Sequence, residues 1–169
     1  MTQERSIPPL EADERVMLTA FLDFQRATLA LKCDGLTHDQ LRDQAVPPSR
    51  LSLLGIVRHM AEVERNWFRP VLEAEEMSGL WAAGQALDPE PAFGDVRTAD
   101  VAAAFAAWRA ECEHATAVTA AAASLDVTGM RGGMRFSLRW VMAHMIEEYA
   151  RHNGHADLLR ERIDGSTGQ

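Results

Sequence analysis

The sequence contains few basic residues and only one lysine, Lys32. Its 17 lysine and arginine residues are outnumbered by 25 acidic residues, which gives a formal net charge of −8. The basic residues form no stripe or cluster of the kind that a nucleic-acid-binding surface requires. The composition therefore argues against a nucleic-acid partner.

Long apolar runs are missing as well. No stretch approaches the roughly 20 apolar residues that span a bilayer. The N-terminal residues MTQERSIPPLEADER are charged and have no apolar signal core. We therefore expect a cytoplasmic protein with no membrane partner. The two cysteines, Cys33 and Cys112, do not form a CxxC motif, so two free thiols in a reducing compartment are expected.

The alternating pattern of a β-strand is also absent, as are internal repeats and low-complexity linkers. The 169 residues are 47% hydrophobic and 25% charged, which is typical of a globular protein long enough to bury a core. We predict that residues 1–169 form a single domain.

The sequence does show helical periodicity in its apolar residues. Four long periodic segments are predicted as helices, at residues 12–31, 52–68, 101–125 and 137–163. Thr37 to Gln40 have the form of a capping box and predict a short additional turn of helix. Residues 73–97 form a longer connection with a short helical piece near residues 80–83, and Gly129, Gly132 and Gly133 form the last connection. The predicted fold class is all-α, a four-helix bundle with a longer connection between helices 2 and 3.

The last predicted helix carries polar residues on the side that should be buried. At 100° per residue its apolar stripe contains Leu138, Met142, Met145, Tyr149, Ala156 and Leu159. Glu148 and His152 fall inside the same stripe, while His144 and His155 lie at its edge. The interrupting pair Asn153-Gly154 predicts a close helix approach or a kink.

His59 on the second helix lies at the margin of that helix's buried face. Three ionisable groups, His59, Glu148 and His152, are thus expected to converge on one core, where an unpaired carboxylate costs several kcal/mol. A divalent metal would satisfy all three, because the i, i+4 spacing of Glu148 and His152 offers two donors on one helix face. Zinc is the first expectation, with nickel or iron(II) as alternatives.

Each of these residues also has a simpler interpretation. His59 alone is compatible with a hydrogen-bonded core histidine, and Glu148 with His152 is compatible with a buried ion pair. His144 and His155 are expected to make contacts around the site or at the surface. The tryptophans Trp67, Trp108 and Trp140 are expected in the core.

The stretches LSLLGIVRHMAEVERNWF and SLRWVMAHMIEEYARHNGHADLLRERIDG resemble the DinB/YfiT-like superfamily, in particular an actinobacterial branch catalogued as a domain of unknown function. The resemblance covers nearly the whole chain. It implies a four-helix bundle with a divalent metal held by one histidine of helix 2 and an i, i+4 pair of the last helix. Those positions are His59, Glu148 and His152, and glutamate at the first position of the pair is also found in the mycothiol-dependent maleylpyruvate isomerase.

The function implied by the resemblance is a metal-dependent enzyme that uses a low-molecular-weight thiol. It would be a mycothiol-type S-transferase or isomerase acting on an electrophilic substrate. His144 and His155 are the candidate catalytic residues, and Arg139 and Arg151 are candidates for binding the cofactor or substrate. The alternative is a non-catalytic metal-binding module, related to stress or dimerisation. Homodimers are common among relatives, so a homodimer is also expected.

Overall fold

The computed structural model describes residues 5–76, 79–81 and 92–168. Within them the chain is mainly helical, as predicted, with a small antiparallel sheet in addition. The helices are α1 (Glu14–Cys33), α2 (His38–Arg42), α3 (Leu53–Glu73), α4 (Val101–Ala121) and α5 (Leu138–Asp164), and the strands are β1 (Thr128–Arg131) and β2 (Met134–Ser137).

The helices begin where the sequence provides capping side chains. Asp100 caps α4 and Ser137 caps α5, each accepting a hydrogen bond from a backbone N–H of the first turn. The capping box predicted from Thr37 to Gln40 is confirmed at the start of α2. Ser137 is important for the site, because it fixes the start of the helix that carries Glu148 and His152.

α3 is longer than predicted, because it continues through Pro70 to Glu73. A proline inside a helix removes the N–H that would bond to the carbonyl four residues earlier. Here that carbonyl belongs to Asn66, and it accepts a hydrogen bond of 2.8 Å from Nε of Arg131 instead. A side chain of β1 thus replaces the missing hydrogen bond and joins the sheet to α3.

The prediction that no strands occur was wrong for residues 128–137. β1 and β2 pair antiparallel, with Thr128 opposite Ser137 and Arg131 opposite Met134. Gly132 and Gly133 form the two-residue loop between them, and both have positive φ, at 57° and 79°, as tight hairpin turns require. Strands of four residues are too short to show a convincing alternation, but the Gly-Gly pair was a readable hairpin signal.

Two further expectations were also wrong. α5 continues as one helix past Asn153 and Gly154, and a Cβ added at Gly154 would meet no atom within 4 Å, so no other helix approaches closely at this glycine. Leu80 and Trp81 lie in a bend rather than a helix, and residues 82 and 83 of that predicted piece lie outside the described residues.

The long helices pack most extensively as α3 against α4 and α1 against α5, and α3 also contacts α5. The described residues contain four long helices, but these contacts alone do not establish a four-helix bundle, which stays a prediction. In the described part of the chain, no helix combines the length and the apolar character needed to cross a membrane.

One buried polar network joins all four long helices. Glu64 of α3 is fully buried and accepts hydrogen bonds of 2.7 and 2.8 Å from Nε and Nη2 of Arg26 in α1. Tyr149 of α5 donates to the same carboxylate at 2.8 Å, and Nε1 of Trp108 in α4 donates to the Tyr149 hydroxyl at 2.8 Å. Because the buried charges are paired and hydrogen-bonded, their desolvation is offset, and the network sets the positions of the helices relative to one another.

Candidate metal centre

The structure brings His59, Glu148 and His152 together. Oε2 of Glu148 lies 4.0 Å from Nε2 of His59 and 3.7 Å from Nε2 of His152. The two imidazole rings are 4.7 Å apart between centroids. Each residue offers one ligand atom, and the three atoms lie within 4.8 Å of one another.

These separations suit a bound ion better than direct hydrogen bonds. They exceed the 2.7–3.2 Å expected of a hydrogen bond. Donor atoms around a tetrahedral zinc ion with bonds of about 2.1 Å lie about 3.4 Å apart. A small rotation of the side chains would therefore bring the three atoms to metal-binding distances, and the donor set of two imidazoles and one carboxylate suits zinc, nickel or iron(II).

The site is partly accessible. The side chains of His59, Glu148 and His152 are 27%, 16% and 11% exposed. The three side chains are therefore not fully enclosed, which fits an open catalytic site better than a closed structural site.

The electrostatic surroundings favour neutral His152. Burial, followed by the nearby His59, His155 and Arg151, lowers the pKa of His152 from 6.5 to about 3. The imidazole is therefore uncharged at neutral pH, which is the form that binds a metal ion.

His155 lies behind His152. Its Nδ1 is 3.4 Å from Nδ1 of His152, on the side of the ring away from the nitrogen that faces Glu148. In the tautomer in which Nδ1 of His152 carries the proton and donates towards His155, Nε2 is left without a proton and can act as an acceptor or ligand atom. The edge position predicted for His155 thus places it next to a candidate ligand.

His144 lies on the other side of Glu148. Its Nε2 is 3.8 Å from Oε1 of Glu148 and its Nδ1 is 3.6 Å from Oε2 of Glu147. These three residues also bring potential ligand atoms within 4.8 Å of one another, but Glu147 is exposed and paired with Arg151. His144 therefore contacts the candidate centre of His59, Glu148 and His152 through Glu148.

The two arginines predicted to bind cofactor or substrate have different surroundings. Arg139 precedes Glu148 by nine residues, which at 100° per residue turns it to the opposite side of α5. There it donates to Glu14 at 2.7 and 3.1 Å and also pairs with Asp126. Nη1 of Arg151 lies 3.9 Å from Oε1 of Glu148, so of the two arginines Arg151 is the one beside the site.

An aromatic cluster adjoins the site and was missed by the sequence analysis. Trp67 is buried as predicted, but the prediction that Trp140 lies in the core was wrong, because it is 44% exposed. Trp140 stacks on His144, with centroids 4.8 Å apart and planes at 23°. The signal was available in the sequence, since Trp140, His144, Glu148 and His152 are spaced by four residues each.

Phe93 adjoins the candidate centre from the connection between α3 and α4. Its ring stacks on His59 at a centroid distance of 5.2 Å. Aromatic rings thus adjoin His59 and His144 of the site. One ring comes from this connection and the others come from β2, α3 and α5.

Neither cysteine has the character of a nucleophile. Both are free thiols, as predicted. Burial raises the pKa of Cys33 to about 12. Burial and the neighbouring Glu64 carboxylate raise the pKa of Cys112 well above its ordinary value, so both sulfurs stay protonated and unreactive at neutral pH.

The structure defines a mainly helical protein with a candidate metal centre of two histidines and a glutamate between α3 and α5. The family described as Mycothiol-S-transferase matches residues 17–165. The chain belongs to that family, in agreement with the mycothiol-related resemblance read from its sequence. No curated protein matches the chain.

Proposed function

We propose that this protein is a metal-dependent transferase that joins the sulfur of mycothiol to an electrophilic small molecule. The observation that carries the proposal is the convergence of three ligand atoms, from His59, Glu148 and His152, within 4.8 Å of one another at a partly exposed site. The family match supports mycothiol as the thiol and S-transfer as the reaction. We further propose that the four long helices form the bundle of the DinB/YfiT-like superfamily.

The metal would be held by His59, Glu148 and His152, with zinc as the first choice and nickel or iron(II) as alternatives. When bound, it would favour the thiolate form of a coordinated thiol near neutral pH. The lowered pKa of His152 keeps its imidazole neutral and able to act as a ligand, and its Nδ1 can donate to Nδ1 of His155 while Nε2 binds the metal.

The reacting sulfur comes from the thiol substrate, because Cys33 is buried, Cys112 is half-buried and both stay protonated. The thiol releases its proton to water, and the sulfur donates an electron pair to the electrophilic carbon. A carbon–sulfur bond forms, and the leaving group departs with the electron pair of the bond that breaks. His144 and His155 are the imidazoles that adjoin the candidate ligands and are our candidates for relaying this proton from the thiol to water.

The test is a transfer assay with purified protein, mycothiol and N-ethylchloroacetamide. We expect zinc-loaded protein to form the S-conjugate faster than the uncatalysed background, and we expect EDTA-treated protein and a His152→Ala variant to remain at background. Glutathione in place of mycothiol tests whether the thiol is selected.

A protein that binds stoichiometric metal, but transfers no sulfur to this or other electrophiles, would contradict the proposal. That outcome would leave the non-catalytic metal-binding module, related to stress or dimerisation, as the better description. Loss of transfer without loss of metal in His152→Ala would contradict the ligand assignment alone.

A further inference from the structure

A line of side chains leads away from the candidate metal centre along α5. His152, Glu148, His144 and Trp140 follow one another at intervals of four residues towards the N-terminus of the helix. Successive members of such a row lie about 6 Å apart along the axis. Trp140 is therefore two turns, or about 12 Å, from Glu148.

The far end of the row is built from aromatic rings. Trp67 of α3 contacts Trp140 and His144 at centroid distances of 4.9 and 4.7 Å. Phe136 of β2 contacts Trp140 and Trp67 at 4.8 and 5.1 Å. Three helix and strand elements thus contribute rings to one cluster, which we call the aromatic wall: Trp67, Phe136, Trp140 and His144.

One residue of the aromatic wall is exposed to solvent. Trp140 is 44% exposed, whereas Trp67 is only 9% exposed. Met134, close in sequence on β2, is 62% exposed. Part of Trp140 therefore stays accessible at the end of the row, about 12 Å along the helix from Glu148.

The wall is held in a fixed position. Arg131 of β1 donates to the carbonyl of Asn66 and lies 4.0 Å from the Trp67 ring centroid. Gly129 packs so closely on α3 that an added Cβ would lie 1.8 Å from the carbonyl oxygen of Val71. A surface that is ordered before the ligand arrives loses little entropy on binding.

We propose that the exposed part of Trp140 is a subsite for a flat aromatic group carried by the electrophilic substrate. This proposal rests on the proposed transferase function, because it places the reactive carbon of the same molecule near Glu148 and His152. The distances along the row separate the aromatic group from the reactive carbon by one to two helical turns, about 6–12 Å. Substrates with a ring joined through several bonds to the reactive carbon fit this spacing.

The surroundings of Trp140 favour an aromatic ring over the sugar part of a thiol cofactor. A polyol needs hydrogen-bond partners for its hydroxyl groups. Phe136, which contacts Trp140, and Met134, which shares one side of β2 with Phe136 by strand alternation, offer apolar surface. Aromatic rings, by contrast, gain from stacked and edge-to-face contacts with tryptophan.

The test compares three chloroacetamides with mycothiol as the thiol. The amide nitrogen carries a 2-phenylethyl, a 2-cyclohexylethyl or an ethyl group, so that the first two place a ring several bonds from the reactive carbon, match in size and differ in planarity. In each reaction a carbon–sulfur bond forms, the carbon–chlorine bond breaks, chloride leaves with the electron pair, and the thiol proton goes to water. KM and kcat are measured for wild type, Trp140→Ala and Trp140→Phe, with Phe21→Ala as a control at another exposed aromatic residue.

We expect wild type to have a KM for the phenyl compound roughly three- to tenfold below that for the cyclohexyl compound, the range that one aromatic contact provides. In Trp140→Ala the ratio of the two KM values falls to about one, and Trp140→Phe retains part of it. Phe21→Ala keeps the wild-type ratio. A wild-type ratio of one, or an equal loss for all three compounds in Trp140→Ala, would overturn the subsite.

Direct binding separates the subsite from the proposed function. N-(2-phenylethyl)acetamide and N-(2-cyclohexylethyl)acetamide lack the reactive chloride, and their binding to EDTA-treated protein is measured by saturation-transfer NMR. Preferential binding of the phenyl amide that disappears in Trp140→Ala supports the subsite even if wild type transfers no sulfur, which would refute the transferase function alone. Equal binding of the two amides to wild type refutes the subsite even if all three chloroacetamides react.

Discussion

Tyr149 donates a hydrogen bond of 2.8 Å to Oε1 of Glu64, and these residues lie on the two helices that also carry the candidate metal ligands. Tyr149 follows Glu148 directly, so α5 directs one side chain to the core network and its neighbour to the candidate centre. The Tyr149 to Glu64 contact therefore fixes how α5 lies against α3, and with it the distance from His59 to Glu148 and His152.

Removing this hydroxyl tests that relationship. Tyr149→Phe leaves Nε1 of Trp108 without its acceptor and Glu64 with one donor fewer. We expect the free energy of unfolding, measured by urea titration, to fall by about 1–3 kcal/mol. We also expect weaker zinc binding in a competition with a chromogenic chelator, because the ligand-bearing helices lose a contact that aligns them. Unchanged zinc affinity would show that the network stabilises the fold without positioning the site.

The ligand assignment predicts which substitutions remove the metal. Protein purified without a histidine tag should contain about one equivalent of divalent metal by elemental analysis. His59→Ala, Glu148→Gln and His152→Ala should each lower the zinc affinity by well over the 10- to 100-fold that substitution of a supporting residue costs. His38→Ala is the matched control, since His38 is exposed on α2. If all variants retain metal equally, the three residues are not the ligands.

Much of the helical architecture could be predicted because its signals are local. Apolar periodicity and capping residues such as Thr37, Asp100 and Ser137 place the helices close to their observed positions. The same periodicity predicted that His59, Glu148 and His152 would come together, since an ionisable residue in a buried stripe requires a partner. Their metal binding, the homodimer and the cytoplasmic location stay predictions.

What could not be predicted depends on contacts between distant residues. α3 continues through Pro70 because Arg131, 65 positions after Asn66, supplies the replacement hydrogen bond. Trp140 contacts Trp67, which lies 73 positions earlier in the chain, and still keeps 44% of its surface exposed. Neither contact is visible in a window of one helix.

The depressed pKa of His152 predicts how stability depends on pH in metal-free protein. The folded state disfavours the charged imidazole, with a pKa of about 3 against 6.5, so below pH 6.5 the unfolded chain binds more protons than the folded one. The contribution of His152 is thus fully present above pH 6.5 and is lost as the pH falls towards 3. Between pH 7.5 and pH 5 this amounts to at most about 2 kcal/mol.

Urea titrations in EDTA at several pH values measure this effect. The free energy of unfolding of wild type should fall more steeply on acidification than that of His152→Gln, which has no imidazole at this position. Parallel curves for the two proteins would mean that His152 titrates normally in the folded state.

Substitution by alanine is predicted to have opposite effects on stability at Gly129 and at Gly154. A Cβ at Gly129 would lie 1.8 Å from the backbone oxygen of Val71, and a backbone atom cannot rotate away as a side chain can. Gly129→Ala should therefore push the hairpin off α3 and lower the free energy of unfolding by at least about 2 kcal/mol. The tryptophan emission should also shift to longer wavelength, because Trp67 would lose its cover by Arg131.

Gly154→Ala should have the reverse effect. Gly154 is exposed within α5, and an added Cβ would meet no atom within 4 Å. The methyl group removes conformational freedom from the unfolded chain, so the free energy of unfolding should rise by about 0.5–1 kcal/mol. Urea titration of both variants in EDTA keeps metal binding out of the comparison. Equal destabilisation by the two substitutions would contradict the close contact between β1 and α3, and the fixed aromatic wall that depends on it.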